Sequence, residues 1–153
     1  MPQPLKEISH VIKKDIRLFE KEFDDALCSE VKLIQTISRF LIKQKGKRIR
    51  PILTILAARI CGEPTENSYK AAAMIELLHI ATLIHDDVVD GAVKRRGWFS
   101  INRIWGNKLA VLLGDFVLSK SLIYMVKLKD FDILDAISKT AELMSSGEIL
   151  QLD

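Results

Sequence analysis

With 153 residues, 48% of them hydrophobic, and a formal net charge of +3, the sequence is sized for one soluble domain with a substantial core. The mild charge is scattered apart from two short basic clusters, which excludes a nucleic-acid-binding stripe. Cys28 and Cys61 lack CxxC spacing and partner histidines at metal-site spacing, so they are expected as buried free thiols rather than ligands or nucleophiles.

Taken in order, Ile8, Val11, Ile12, Ile16, Phe19, Phe23 and Leu27 recur at three- and four-residue steps and predict a first amphipathic helix over about 5–28. Val31, Ile34, Ile37, Phe40 and Leu41 predict a second, stopping near Gly46. Pro51 suits the first turn of a third helix ending at Cys61, with Gly62 as terminator. A turn over 62–67 leads to a central helix over about 68–90, ended by Gly91. A basic loop over 92–100, a short helical piece near 102–105, and helices over 109–127 and 131–153 complete the chain, with Asp130 as N-cap of the last. No sustained alternation, β-hairpin signal, repeat or membrane-length apolar run is read, and no apolar leader precedes the first helix. The expectation is an all-α helical bundle formed by residues 1–153, in the cytoplasm, without a membrane span.

The central helix carries the chemistry. Its apolar run ends in Asp86-Asp87-Val88-Val89-Asp90. Asp86 and Asp90 are i,i+4 neighbours whose like charges repel, and a helix C-terminus disfavours anions further. The acids therefore need a cation, either Mg²⁺ or a cluster of Arg and Lys. On an ideal helical wheel His79, Thr82, Asp86 and Asp90 lie within about 80°, so one stripe faces a cavity or a ligand. Two basic clusters flank the helix. Lys47, Arg48 and Arg50 sit beside Gly46 at the start of a helix, an arrangement suited to anions. Lys94, Arg95 and Arg96 supply ammonium and guanidinium donors for phosphate oxygens.

These residues, in this order, resemble the trans-isoprenyl diphosphate synthases, or polyprenyl synthetases: Gly46-Lys47-Arg48-Ile49-Arg50-Pro51, Glu76-Leu77-Leu78-His79, Asp86-Asp87-Val88-Val89-Asp90, Arg95-Arg96-Gly97, Gly114-Asp115-Phe116 and Gly147-Glu148-Ile149-Leu150-Gln151. The resemblance implies an isoprenoid synthase-like bundle and Mg²⁺-dependent condensation of isopentenyl diphosphate with an allylic diphosphate such as farnesyl diphosphate. It implies that Asp86 and Asp90 hold Mg²⁺ on the allylic diphosphate, with Asp87 in support and Arg95 on the same diphosphate. Lys47, Arg50, His79 and Arg96 would bind the isopentenyl diphosphate. Ala81 and Thr82, small residues where short-chain members carry an aromatic plug, imply a long-chain product. A homodimer is implied as well.

Members of the family run to about twice this length and carry a second aspartate-rich motif that is not found here. The chain is therefore expected to be an incomplete, inactive N-terminal portion of one synthase domain. A non-catalytic helical subunit or interaction module is the alternative; a class I terpene cyclase is less favoured, because it needs no second diphosphate site. His85 is expected to be structural, Tyr124 and Met125 to be packing residues, and Asp115 to have a buried partner.

Overall fold

The computed structural model describes residues 10–44, 46–95 and 97–152, and among them there are seven helices and one two-stranded hairpin. The helices are α1 (Lys13–Ala26), α2 (Lys32–Lys43), α3 (Ile49–Cys61), α4 (Glu66–Val89), α5 (Ile101–Trp105), α6 (Asn107–Leu128) and α7 (Phe131–Leu152). The start of the predicted first helix, before residue 10, lies outside the described residues, as does Asp153.

α4 is the axis of the bundle. It begins where Ser68 Oγ accepts the Thr65 backbone N–H at 3.1 Å, one half of a capping box. It buries Ala72, Ala73, Met74, Leu77, Ala81 and Ile84. Its most extensive partner is α6, which buries Ala110, Leu113, Gly114, Val117, Ser121, Tyr124 and Met125. Small residues on both helices permit close approach. The pairing is antiparallel, since Ser121 Oγ, late in α6, donates to the Met74 carbonyl, early in α4, at 3.3 Å, while His85, late in α4, meets Asp115, earlier in α6.

By length and composition α6 would suffice to cross a bilayer, which the sequence expectation of no such run had missed. Here, however, one face of α6 is core against α4. α1 and α3 pack on α4 as well. α1 contributes Phe19, Phe23 and Ala26 at helical spacing, and Tyr124 crosses from α6 to donate to the Glu22 carbonyl of α1 at 2.8 Å. Burial and the adjacent Glu22 carboxylate raise the Tyr124 phenol above the ordinary tyrosine range. Tyr124 and Met125 are thus packing residues, as expected, and Tyr124 is also a tie between helices.

Several local expectations need correction. The basic loop holds a minimal antiparallel hairpin, β1 (Lys94–Arg95) paired with β2 (Trp98–Phe99), closed through Gly97 at φ 83°. Two-residue strands have no room for the alternation that reveals a strand, although a glycine ending a two-residue loop is a hairpin signal. Trp98 and Trp105 both stand edge-on to Phe40, with ring centroids 6.0 and 5.2 Å away, which fixes the hairpin and α5 to α2. Cys28 and Cys61 are exposed rather than buried: Cys61 is the last residue of α3, and Cys28 lies two residues beyond the end of α1. Asp130 is the N-cap it was expected to be: its Oδ1 accepts the backbone N–H groups of Asp132 and Ile133. None of the described α7 side chains is fully buried.

Candidate active site

The acid-bearing end of α4 is closed by a Schellman motif. Ala92 N–H donates to the Asp87 carbonyl at 2.9 Å and Gly91 N–H to the Val88 carbonyl at 3.3 Å, with Gly91 at φ 59°. The Asp87 carbonyl accepts a further bond from Asn102 Nδ2 at 2.9 Å. The carbonyls of Asp86, Asp87 and Val88 thus all have backbone partners, leaving the three carboxylates to differ in role.

Asp87 is buried, and Arg95 Nε, from β1, donates to its Oδ1 at 2.7 Å. Asp86 and Asp90 stay exposed, one turn apart. Partial desolvation raises the Asp86 carboxyl above the usual carboxylate range; Asp90 and Asp87 reinforce the rise, while Arg95 and His85 oppose it. The cation demanded by this helix end is thus supplied in part by Arg95, through Asp87. Oxygen donors from two exposed carboxylates suit Mg²⁺ shared with a diphosphate, and no three acidic, histidine or cysteine side chains among the described residues gather closely enough to hold a metal by themselves.

Below the acids, His79 stands between two cavities. One, about 240 Å³, runs between α4 and α7. Arg50 and His79 lie on its wall with Thr82, Leu78 and Ile75 of α4, facing Ile137, Ala141 and Met144 of α7. Thr82 Oγ1 donates back to the His79 carbonyl at 2.9 Å, so the hydroxyl is satisfied within the helix and Thr82 is a small wall residue. The other cavity, about 70 Å³, has Arg48, Glu76, His79, Asp87 and Arg95 on its wall among apolar residues such as Leu83 and Ile84.

The structure thus brings together Arg50, His79 and Thr82 in one cleft, and His79, Asp87 and Arg95 around the other. Lys47, Asp86 and Asp90 are exposed and line neither cavity; Ala81 is fully buried in the core and lines neither; Arg96 lies outside the described residues. Asp115 is exposed and pairs with His85 Nε2 at 3.2 Å, which corrects the expectation of a buried partner. The His85 ring lies so close to Gly114 that a Cβ there would stand 2.3 Å from Nε2, which explains why α6 carries glycine at this crossing.

Two features escaped sequence reasoning. Thr140 and Ala141 of α7 line the larger cleft. Arg48 and Glu76 form a buried ion pair at 3.1 Å. An isolated glutamate in an apolar helix, ten residues before Asp86, was the available signal for the second.

A helical bundle whose axial helix ends in carboxylates beside two groups of cations is of the isoprenoid synthase type, and solved structures of that type superpose on it. A polyprenyl synthase from Caulobacter crescentus CB15, solved with calcium and isoprenyl diphosphate, matches with a TM-score of 0.90 at 34% identity, over 97% of this chain and 45% of that one. The chain belongs to the polyprenyl synthetase family, whose model matches residues 31–153. It is 38% identical to an all-trans-nonaprenyl-diphosphate synthase (geranyl-diphosphate specific) of Rhodobacter capsulatus, over 92% of this chain and 44% of the relative. It is 36% identical to the octaprenyl diphosphate synthase of Escherichia coli (strain K12), over 97% of this chain and 46% of the relative. The chain therefore spans less than half the length of these relatives.

Proposed function

We propose that this chain forms part of the active site of a Mg²⁺-dependent prenyltransferase that joins isopentenyl diphosphate to an allylic diphosphate, such as farnesyl diphosphate, to make a long polyprenyl diphosphate. The observation that carries this reading is the single face of α4, on which His79 and Thr82 line an apolar-walled cleft one to two turns before Asp86. The nonaprenyl and octaprenyl synthases among the relatives, and the isoprenyl diphosphate in the Caulobacter structure, support it.

In this reading Asp86 and Asp90 would hold Mg²⁺ for the allylic diphosphate, and Arg95, positioned by Asp87, would neutralise the same group. When bound, Mg²⁺ neutralises the diphosphate oxygens and eases departure of the leaving group. Lys47, Arg50, His79 and Arg96 hold the isopentenyl diphosphate. The allylic C–O bond breaks, the diphosphate leaves with the electron pair, and the isopentenyl double bond attacks the allylic carbon; loss of a proton restores a double bond. The apolar residues of α4 and α7 keep water from the allylic cation during this step. A homodimer in the cytoplasm belongs to the same reading; the exposed Leu112, Leu122, Ile123 and Val126 on the outer face of α6 support the dimer contact.

The tail pocket is tested at Thr82. In the full gene product, Thr82→Phe fills the cleft between α4 and α7 and yields products shorter by at least one isoprene unit, read by chromatography of the dephosphorylated prenols. An unchanged length distribution removes the cleft from the tail's path. A cyclic hydrocarbon from the wild type would place the protein with the class I terpene cyclases instead.

A further inference from the structure

Arg48 lies between two residues given to a diphosphate, yet it does not share their environment. Lys47 and Arg50 are exposed, whereas the Arg48 side chain is only 10% exposed. Its backbone is left-handed, at φ 51° and ψ 36°, a conformation that costs a non-glycine residue energy and persists only where surrounding contacts impose it. That conformation turns the side chain inward just ahead of α3.

Inside, Nη1 donates to Glu76 Oε1 at 3.1 Å, and the guanidinium carbon sits 4.4 Å from the Phe23 ring centroid and 5.7 Å from that of Phe19. One residue before α3 is thereby tied to both α1 and α4. A buried ion pair recovers little beyond the desolvation of its charges, so net stability alone is a poor account of it. Geometry is a better one. Arg48 is one residue from Lys47 and two from Arg50, while Glu76 is one helical turn before His79. Arg48, Glu76 and His79 line the same 70 Å³ cavity.

We propose that the Arg48–Glu76 pair is a positioning clamp for the second diphosphate: it holds Lys47 and Arg50 of the loop and first turn of α3 in register with His79 of α4. Neither Arg48 nor Glu76 touches the substrate. The clamp rests on the proposed prenyl transfer, because that reading gives Lys47, Arg50 and His79 a common ligand.

The test uses the full gene product and compares Glu76→Gln, Arg48→Met and the double variant Arg48→Met/Glu76→Leu. Binding of isopentenyl diphosphate is measured by calorimetry, KM for each diphosphate by steady-state kinetics, and folding by thermal melt. Glu76→Gln and Arg48→Met are expected to weaken isopentenyl diphosphate roughly tenfold, the size of one misplaced charge-assisted contact, with KM for farnesyl diphosphate within about twofold of wild type. The double variant leaves no unpaired buried charge, so it should melt near the wild type yet still bind isopentenyl diphosphate weakly. A double variant that binds like the wild type, or an equal loss for both diphosphates, overturns the clamp while leaving prenyl transfer intact. A wild type that binds no isopentenyl diphosphate overturns both.

Discussion

Replacing Asp86 with alanine is expected to lower elongation by the full gene product by about 10²–10³-fold, the usual cost of removing one preorganised group that stabilises transition-state charge. The bundle should survive the change. The Asp86 side chain is exposed, and the bond that involves this residue in the last turn of α4 runs from Asp90 N–H to the Asp86 backbone carbonyl, which alanine retains. Gly91 and Ala92 close the helix through Val88 and Asp87. Removing a charge that repels Asp90 should leave the melting temperature of the metal-free protein equal or slightly higher. Steady-state incorporation of labelled isopentenyl diphosphate, beside a far-UV circular dichroism melt, reads both effects. Loss of helix in Asp86→Ala would make the residue structural rather than catalytic.

The largest expected effect on stability lies away from the site. Asp15 of α1 is 2% exposed; one carboxylate oxygen accepts from Nε of Arg59 at 2.9 Å and forms an ion pair with its Nη2 at 2.9 Å, and the other accepts from the Tyr69 hydroxyl at 2.8 Å. Three helices, α1, α3 and α4, meet at this one carboxylate. Asp15→Ala leaves the Tyr69 hydroxyl and the Arg59 guanidinium without their acceptor. Breaking a buried pair from one side costs about 3–5 kcal/mol, and because Arg59 reaches solvent and can rehydrate, about 3 kcal/mol is expected. Urea denaturation of the full gene product measures it; a loss below about 0.5 kcal/mol, within the range of an ordinary surface substitution, would show that α1 is not held by this network.

The helices were legible because their buried residues recur with helical spacing, as Phe19, Phe23 and Ala26 do, and their ends because Gly62, Gly91 and Asp130 carry the backbone chemistry of helix ends. The candidate site was legible as an arrangement in sequence: a helical wheel places His79, Thr82, Asp86 and Asp90 on one face without knowledge of any neighbour. Pairings across the fold were not. Nothing local says that Arg95 reaches back to Asp87, that Arg48 turns inward to Glu76, or that His85 rests on Gly114 and meets an exposed Asp115. Each needs a distance between two different elements of the fold. Cys28 and Cys61 show the same limit from the other side, since residue type favours burial but their positions, just past the end of α1 and at the end of α3, expose them.

α4 is therefore a helix with divided duties. Glu76 and Asp87 each take an arginine from a flanking basic cluster, while Asp86 and Asp90 remain open toward solvent. The most direct test is incorporation of labelled isopentenyl diphosphate by the full gene product with farnesyl diphosphate and Mg²⁺, repeated after chelation of divalent metal. Linear polyprenyl diphosphate that accumulates with Mg²⁺ and ceases on chelation is the predicted result; no incorporation, or incorporation indifferent to the chelator, would contradict the role given to the acid-tipped helix.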